Sequence, residues 1–447
     1  MTGIFKAYDI RGIYGKDLDE ETAYKIGRSF VLYLKCKKVM VGQDTRLSTP
    51  SLVESLIRGI TDQGADVLQI GLSTTDMFYF VENYTGCESG IMVTASHNPG
   101  EYNGFKLIRE KAAPIGAGSG IEEIEKIFHD GNFPEPEKKG NIQKNDENLV
   151  KKFSEFVKAR VEIDSIKPLR VVMDAGNGMA GYVAPVMFKD TNIEVIPLFF
   201  ELDGSFPNHE ANPLLEENRQ ELMAKVIETG ADFGVGFDGD SDRCFFVDDH
   251  GKFVDGDFMT GLIGAYLIEK NPGATISFDV RSSRYTTDVI ERAGGKALMW
   301  KVGHALMKPK MKEEKALFGG EVSGHFYFLF DDYYADNSYL PVFLVAEMIS
   351  KKGKKLSELM ADKANYFISG EINSTVKDAD AVMKEIESKY LSKGKKVTID
   401  GLSIIGDTWW FNIRKSNTEP LLRLNCEADS QKNMEALRDE LLSIIRA

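Results

Sequence analysis

Ser96 stands in the stretch Val93-Thr94-Ala95-Ser96-His97-Asn98-Pro99-Gly100, directly after a short apolar strand predicted over 90–93. A hydroxyl presented from such a turn can act as a nucleophile, or it can cap a neighbouring backbone amide. A second loop, Asp238-Gly239-Asp240-Ser241-Asp242-Arg243, lies between apolar runs at 233–237 and 244–247. In an extended chain its alternate carboxylates, Asp238, Asp240 and Asp242, point the same way. Three converging carboxylates repel one another unless a hard cation sits among them, and Mg²⁺ takes oxygen ligands while leaving positions for phosphate or water. The other reading is a solvated acidic turn.

Two further loops gather polar groups. Gly320-Glu321-Val322-Ser323-Gly324-His325 offers an acceptor and a donor two residues apart, the spacing of vicinal sugar hydroxyls, with flanking glycines that permit close backbone approach. A Gly-rich turn with a capping glutamate has the same composition. Arg414-Lys415-Ser416-Asn417-Thr418-Glu419-Pro420 brings a guanidinium, two hydroxyls, an amide and backbone N–H groups into one turn, a phosphate cradle in composition or a polar hairpin loop.

The elements that must position these loops follow from hydrophobic period. Up to about residue 143, strand candidates at 38–41, 67–70 and 90–93 alternate with helical patterns such as 51–63, the signature of a mostly parallel sheet. The segment 131–148, rich in Pro, Glu, Lys and Asn, reads as a linker. A second unit opens with a strand at 169–174 and closes on the strand feeding the aspartate loop. A third holds helices at 259–269 and 283–293, a strand at 275–279 and the strand at 316–318 before the Glu321 loop. In each, the chemistry sits past the C-terminal end of a strand, where open α/β sheets bind ligands. From about residue 369 the pattern changes to a helix at 378–390, strands near 396–399, 403–405 and 408–413, and a helix at 431–445, an α+β unit with an antiparallel sheet. The expected fold is three similar mixed or parallel α/β domains, over 1–148, 149–252 and 253–367, followed by an α+β domain over 368–447.

The four loops in this order, together with Ala7-Tyr8-Asp9-Ile10-Arg11-Gly12 and Val41-Gly42-Gln43-Asp44-Thr45-Arg46, resemble the α-D-phosphohexomutase family across the whole chain. The resemblance implies phosphoryl exchange between the 1 and 6 positions of a hexose. It gives Ser96 a phosphoryl group, makes Asp238, Asp240 and Asp242 (with Ser96) the Mg²⁺ ligands, and makes hexose 1,6-bisphosphate both intermediate and activator. Lys106 falls at the family's general acid or base, and His97 and Arg11 at residues surrounding the phosphoserine. By residue type alone Lys106 would be a surface residue pairing an acid such as Glu101. Substrate contacts are implied for Arg243, Arg281, His304, Glu321, Ser323 and His325, and for Arg414, Ser416, Asn417 and Thr418, which would hold the phosphate that is not reacting. His129, His209 and His250 receive no role. Arg281 stands where many relatives have lysine. Asp336-Asn337-Ser338 replaces a usual Asp-Gly-Ile, with only a local effect on packing expected. Val322 and Asn417 resemble phosphomannomutases and dual phosphomannomutase/phosphoglucomutases more than phosphoglucosamine mutases.

Composition sets limits on partners. The chain has 447 residues, 43% hydrophobic and 28% charged, too long for one core. A net charge of −14 opposes nucleic acid and anionic membranes, and no apolar run approaches the ~18 residues of a membrane helix. Four cysteines without a pairing pattern fit a reduced, cytoplasmic setting. Small sugar phosphates are the expected partners; oligomeric state is not legible. Phosphoglucosamine mutase, a Mg²⁺-dependent sugar phosphatase using Asp238 as nucleophile, and a non-catalytic sugar-phosphate binder stand as alternatives.

Overall fold

A computed structural model describes residues 3–415 and 421–447. The chain divides into two compact units, residues 1–255 with 323–357, and residues 256–322 with 358–447.

The first unit carries two α/β sheets. In the larger, the strands run Ile10–Ile13, Tyr102–Arg109, Ser89–Val93, Lys38–Gln43, Asp66–Leu72 and Ile142–Lys144, with Ala113–Pro114 added alongside Tyr102–Arg109. Its centre is parallel, but Tyr102–Arg109 runs antiparallel to both neighbours, so the sheet is mixed. The segment read as a linker contributes an edge strand, because Ile142–Lys144 pairs in parallel with Asp66–Leu72. Its Pro- and Lys-rich flanks mark the edge of a sheet, where unpaired N–H groups face solvent.

Helices Glu20–Leu34 and Thr49–Asp62 pack on each other on this sheet. Asp19 caps the first by accepting from Thr22 N, and Pro50 opens the second. Their approach is close enough that a Cβ on Gly59 would stand 2.1 Å from the Tyr24 carbonyl oxygen and one on Gly27 would stand 2.5 Å from that of Leu56. Ile26, Phe30, Leu52, Leu56 and Ile60 from these helices join Val39, Val41, Ile91 and Phe105 from the sheet in one core.

The second sheet runs Phe253–Val254, Cys244–Val247, Phe233–Phe237, Leu169–Asp174 and Ile193–Leu198. Phe233–Phe237 lies parallel to Leu169–Asp174 and antiparallel to Cys244–Val247, so the chain reverses between residues 237 and 244. An antiparallel pair, Phe326–Phe330 with Tyr333–Asp336, completes the strands of this unit.

In the second unit, Thr275–Asp279 is the middle of three parallel strands, flanked by Lys296–Trp300 and Phe318–Gly320. The C-terminal sheet is antiparallel and six-stranded, with Leu421–Ala428 between Trp409–Lys415 on one side and both Phe367–Ile368 and Ile372–Thr375 on the other. Helices Ala379–Tyr390 and Gln431–Ile445 cover it with Ile386, Tyr390, Met434, Leu441 and Ile445. Mixed α/β sheets followed by an antiparallel α+β sheet are the expected fold class. Among the described residues no helix is long and apolar enough to cross a membrane.

Candidate active site

The strand Ser89–Val93 is buried along its whole length and delivers the chain to Ser96. Ser96 is fully buried and adopts φ of 52°, a left-handed conformation unusual for a residue with a Cβ. Its N–H donates to Thr94 Oγ1 at 2.9 Å, which fixes the turn, and its hydroxyl donates to Asp238 Oδ2 at 2.8 Å. His97 Nδ1 lies 3.3 Å from the same hydroxyl.

Behind this turn stands Arg46, itself buried. Its Nη2 donates to the carbonyls of Ser96 and Asn98 at 2.7 and 2.6 Å, and its Nη1 to those of Pro99 and Tyr102 at 2.7 and 3.0 Å. Nε donates to Asp44 at 3.1 Å, and the guanidinium lies over the Phe206 ring at 5.0 Å. One planar fork thus holds four carbonyls of the serine loop.

Asp238, Asp240 and Asp242 are buried, and one oxygen from each lies within 4.8 Å of the others. The loop that brings them together is a turn and not the extended segment expected. Ser241 N donates to the Asp238 carbonyl at 3.0 Å, and Ser241 sits at φ of 56°. Convergence comes from this bend and from a clamp. Thr75, at the start of helix Thr75–Thr85, donates its N–H to the Asp240 carbonyl at 2.9 Å and its hydroxyl to Asp240 Oδ2 at 2.6 Å. Gly239 abuts the serine loop so closely that a Cβ there would lie 2.4 Å from the Ser96 carbonyl oxygen.

Lys106 lies across from Met92 in the antiparallel pair and reaches into this cluster. Its Nζ donates to Asp240 Oδ2 at 2.7 Å and also to Asp242 Oδ2, so the surface pairing with Glu101 is not what forms. Burial pulls its pKa down, but Asp240 and Asp242 outweigh that and hold it well above the usual lysine value. Asp238 is pushed up to about 7 by burial and by the Asp242 and Asp240 carboxylates. Burial would raise Asp242 as well, yet Lys106, followed by His325 and Arg243, holds it well below the usual range. Among the described residues, Asp240 Oδ1 accepts no hydrogen bond, and Asp242 Oδ1 meets only the more distant His325 Nε2 at 3.5 Å and Arg243 Nε at 3.8 Å. Buried carboxylate oxygens short of close donors, in an all-oxygen set, fit a hard divalent cation.

Cations and imidazoles surround the cluster. Arg11, from the strand Ile10–Ile13, donates to Asp9 and to Asn98 of the serine loop. Arg243 Nε donates to His325 Nε2 at 3.3 Å, and Ser323 Oγ is 3.2 Å from His325 Nδ1. Burial, then the charges of Arg243 and Arg11, hold His97 well below its usual pKa, so its imidazole is neutral. The structure therefore gathers Ser96, His97, Lys106, Arg11, the three aspartates, Arg243, Ser323 and His325 in one unit.

Residues given no role by sequence join them. Arg46 and Thr75 are the two clamps; Arg46 belongs to the Val41–Arg46 motif as Asp44-x-Arg46, whereas Thr75 stands in no motif. His209 is half-buried against Asp174 at 3.1 Å; burial lowers its pKa, but the hydrogen bond and charge of Asp174 raise it above the usual value. Ser338 has more than a local packing role. Its hydroxyl donates to the Ser241 carbonyl at 2.8 Å and lies 3.2 Å from Asp76 Oδ2, while burial pushes Asp76 up to about 8.

The second unit holds the remaining described candidates. Arg281 turns its fork back on Asp279, with Nε to Oδ1 at 2.9 Å and Nη2 to Oδ2 at 2.8 Å. Asp279 Oδ2 also accepts from Val322 N at 3.0 Å, and Glu321 Oε1 accepts from Gly303 N at 2.7 Å. His304 is the first residue of helix His304–Glu314. Arg414 Nη2 donates to Glu371 Oε2 at 2.7 Å. Ser416, Asn417 and Thr418 lie outside the described residues.

Four family models match in succession. These are phosphoglucomutase/phosphomannomutase alpha/beta/alpha domain I over residues 2–135, domain II over 150–251, domain III over 255–367, and the C-terminal domain over 371–444. A phosphomannomutase of Escherichia coli is 41% identical over 453 residues, covering 99% of both chains. A protein of Xanthomonas campestris pv. campestris described as phosphohexose mutases is 39% identical over 445 residues, again covering 99% of each. Among solved structures, a phosphoglucomutase/phosphomannomutase family protein from Burkholderia thailandensis superposes with a TM-score of 0.89 at 34% identity, covering 99% of this chain and 97% of that one.

Proposed function

Since the chain belongs to the phosphoglucomutase/phosphomannomutase family of isomerases, we propose that it interconverts the 1- and 6-phosphates of mannose and glucose through a phosphoserine at Ser96. The observation that carries this reading is the Ser96 hydroxyl, fully buried and 2.8 Å from Asp238 at the edge of the three-aspartate cluster, with Lys106 on its other members. A buried hydroxyl in a fixed turn has one trajectory for a phosphoryl group.

In the proposed cycle, the phosphoryl group on Ser96 passes to the free hydroxyl of a hexose monophosphate. The Ser96 O–P bond breaks as the sugar O–P bond forms, and the proton of the sugar hydroxyl ends on the Ser96 oxygen by way of Lys106. The product is a hexose 1,6-bisphosphate. It turns end over end and returns its other phosphoryl group to Ser96, releasing the isomeric monophosphate. Mg²⁺ held by Asp238, Asp240 and Asp242, with the phosphorylated Ser96 as a further oxygen ligand, would offset negative charge on the transferring group.

Lys106 serves as the general acid or base, its ammonium giving a proton to the departing Ser96 oxygen and taking up that of the attacking hydroxyl. Arg11 and neutral His97 bind phosphoryl oxygens around Ser96, and Arg243 and His325 support them. Glu321 and Ser323 recognise the O3 and O4 pair, which nearly exchange places when the sugar rotates. His304, Arg281 and the Arg414, Ser416, Asn417 and Thr418 loop hold the idle phosphate. Mannose and glucose differ at C2, away from that hydroxyl pair, so both are substrates. Val322 and Asn417 favour these hexoses over glucosamine.

The test is kcat/KM for mannose 1-phosphate, glucose 1-phosphate and glucosamine 1-phosphate in parallel, with Mg²⁺ and a trace of hexose 1,6-bisphosphate. Comparable turnover of the first two and little of the third is expected, with all activity lost in Ser96→Ala. Preference for glucosamine overturns the substrate assignment alone. Turnover that survives Ser96→Ala but not Asp238→Asn turns the site into that of a phosphatase.

A further inference from the structure

Gly239, between the first two aspartates of the cluster, is backed by a second turn. Met179 N donates to the Gly239 carbonyl at 2.9 Å. A Cβ on Gly178 would lie 2.7 Å from that oxygen and 3.0 Å from Gly239 Cα. Gly239 in turn abuts the Ser96 carbonyl, which a Cβ there would meet at 2.4 Å. The turn at residues 175–179 therefore limits how far the aspartate loop can stand back from Ser96. Within it, Gly176 and Asn177 sit at φ of 51° and 60°. A left-handed residue with a Cβ, such as Asn177, persists where its surroundings hold it.

What holds this turn is an imidazole on a buried carboxylate. Asp174 Oδ1 accepts from Gly176 N at 2.8 Å, and Asp174 Oδ2 is 3.1 Å from His209 Nε2. His209 Nδ1 lies 2.8 Å from the Glu210 carbonyl oxygen. A carbonyl oxygen and an ionised carboxylate can only accept, so both ring nitrogens carry protons and the ring is an imidazolium. It stands directly against the turn, its Cε1 3.2 Å from where a Gly176 Cβ would be, with the Phe199 ring edge-on at 5.4 Å. Asn208, next in the chain, donates from Nδ2 to Asn177 Oδ1 at 2.8 Å.

We propose that His209, as an imidazolium, is a positioning residue for phosphoryl transfer: it holds Asp174 on the Gly176 amide and, through that turn, fixes Gly239 and the aspartate loop against Ser96. The inference rests on the reading above in which Ser96 and the aspartate loop carry the transfer. The charged groups that face the ring are Asp174, at the end of the strand Leu169–Asp174, and Glu221, in the first turn of the helix Gln220–Thr229, and both favour the cation. A ring that loses one proton turns a lone pair toward an oxygen, that of Asp174 or that of Glu210, and the contact becomes repulsive. The hold of Asp174 on the turn then loosens. Because the cation is favoured, this loss falls on the alkaline side of the ordinary imidazole value of 6.5.

The test is the pH profile of kcat for mannose 1-phosphate between about pH 6.5 and pH 9, with Mg²⁺ and a trace of hexose 1,6-bisphosphate, on the full chain and on two variants. The parent is expected to lose activity as pH rises through this range. His209→Gln reaches Asp174 without a charge. Its kcat at neutral pH should be about tenfold lower, the lower end for a partner that orients a site residue, and level across the range, with KM within about twofold. Asp174→Asn removes the carboxylate that favours the cation, so its alkaline fall should come roughly one pH unit lower. A parent profile that stays level overturns the proposal and needs no variant. A His209→Gln profile parallel to that of the parent, or an Asp174→Asn fall at the parent's pH, also overturns it: His209 is then a brace, which lowers the melting temperature but leaves the shape of the profile alone. A parent that turns over no hexose phosphate at any pH removes the phosphomutase reading itself, and the proposal with it.

Discussion

The Nη2 of Arg46 and the carbonyl oxygen of Ser96 are 2.7 Å apart, both in residues shut off from solvent. The left-handed backbone of Ser96 costs on the order of 1–3 kcal/mol and persists only where the surroundings over-determine it. Arg46 does so by donating to four backbone carbonyls from one planar fork, a geometry that a lysine ammonium cannot reproduce. Arg46→Lys is therefore expected to lower kcat by roughly 100-fold, the scale of a 1 Å misplacement, with KM changed little. Steady-state kinetics on the folded variant decide it. A rise in KM with kcat preserved would show that the loop geometry does not depend on the fork.

Much of this site was legible in sequence because its residues are local. Ser96 and the three aspartates each sit in a short loop after an apolar strand, and strand ends are readable from hydrophobic runs. What the sequence could not show is which loops touch. The bond from Thr75 to Asp240 spans 165 positions and that from Lys106 to Asp240 spans 134. Neither Thr75 nor the buried setting of Lys106 leaves a local trace. The edge strand at Ile142–Lys144 was hidden for another reason, since an exposed three-residue strand lacks the apolar alternation that marks a half-buried one.

Thr75 and Asp240 give a second prediction. The Thr75 hydroxyl fixes one carboxylate oxygen of Asp240 at 2.6 Å, leaving the other without a donor among the described residues. Partners that orient a metal ligand are typically worth 10–100-fold in affinity. Thr75→Val, nearly isosteric, is expected to raise the Mg²⁺ concentration for half-maximal activity about tenfold, while activity at saturating Mg²⁺ stays near that of the parent. A metal titration of activity checks this, and an unshifted midpoint would show that Thr75 does not support the proposed metal site.

Gly239 tests the contact between the Ser96 loop and the Asp238–Asp242 loop. A methyl group there would meet the Ser96 carbonyl at 2.4 Å, and that atom is backbone already gripped by Arg46. Gly239→Ala must push the loops apart. We expect at least a 100-fold fall in kcat, as for a displaced catalytic group, with the far-ultraviolet circular dichroism unchanged. Wild-type rates in this variant would mean that the two loops are not held at the observed distance during turnover.

Glu82 provides a pH signature away from the site. It is buried at 2% exposure, where its Oε2 accepts from Ala112 N at 3.0 Å and from Asn83 at 2.7 Å, and burial pushes its pKa up to about 8 from an ordinary 4.5. Between those values the native state holds a proton that the unfolded chain has lost. Stability from this group is therefore fully present below about 4.5, declines as pH rises toward 8, and is level above that. The slope from one such group is at most about 1.4 kcal/mol per pH unit. Glu82→Gln keeps an acceptor for Ala112 without a titratable proton, so its denaturation midpoint should fall less between pH 5 and pH 9 than that of the parent. The variant should match or trail the parent at pH 5 and exceed it at pH 9. Parallel curves across that range would show that Glu82 titrates alike in the folded and unfolded chain.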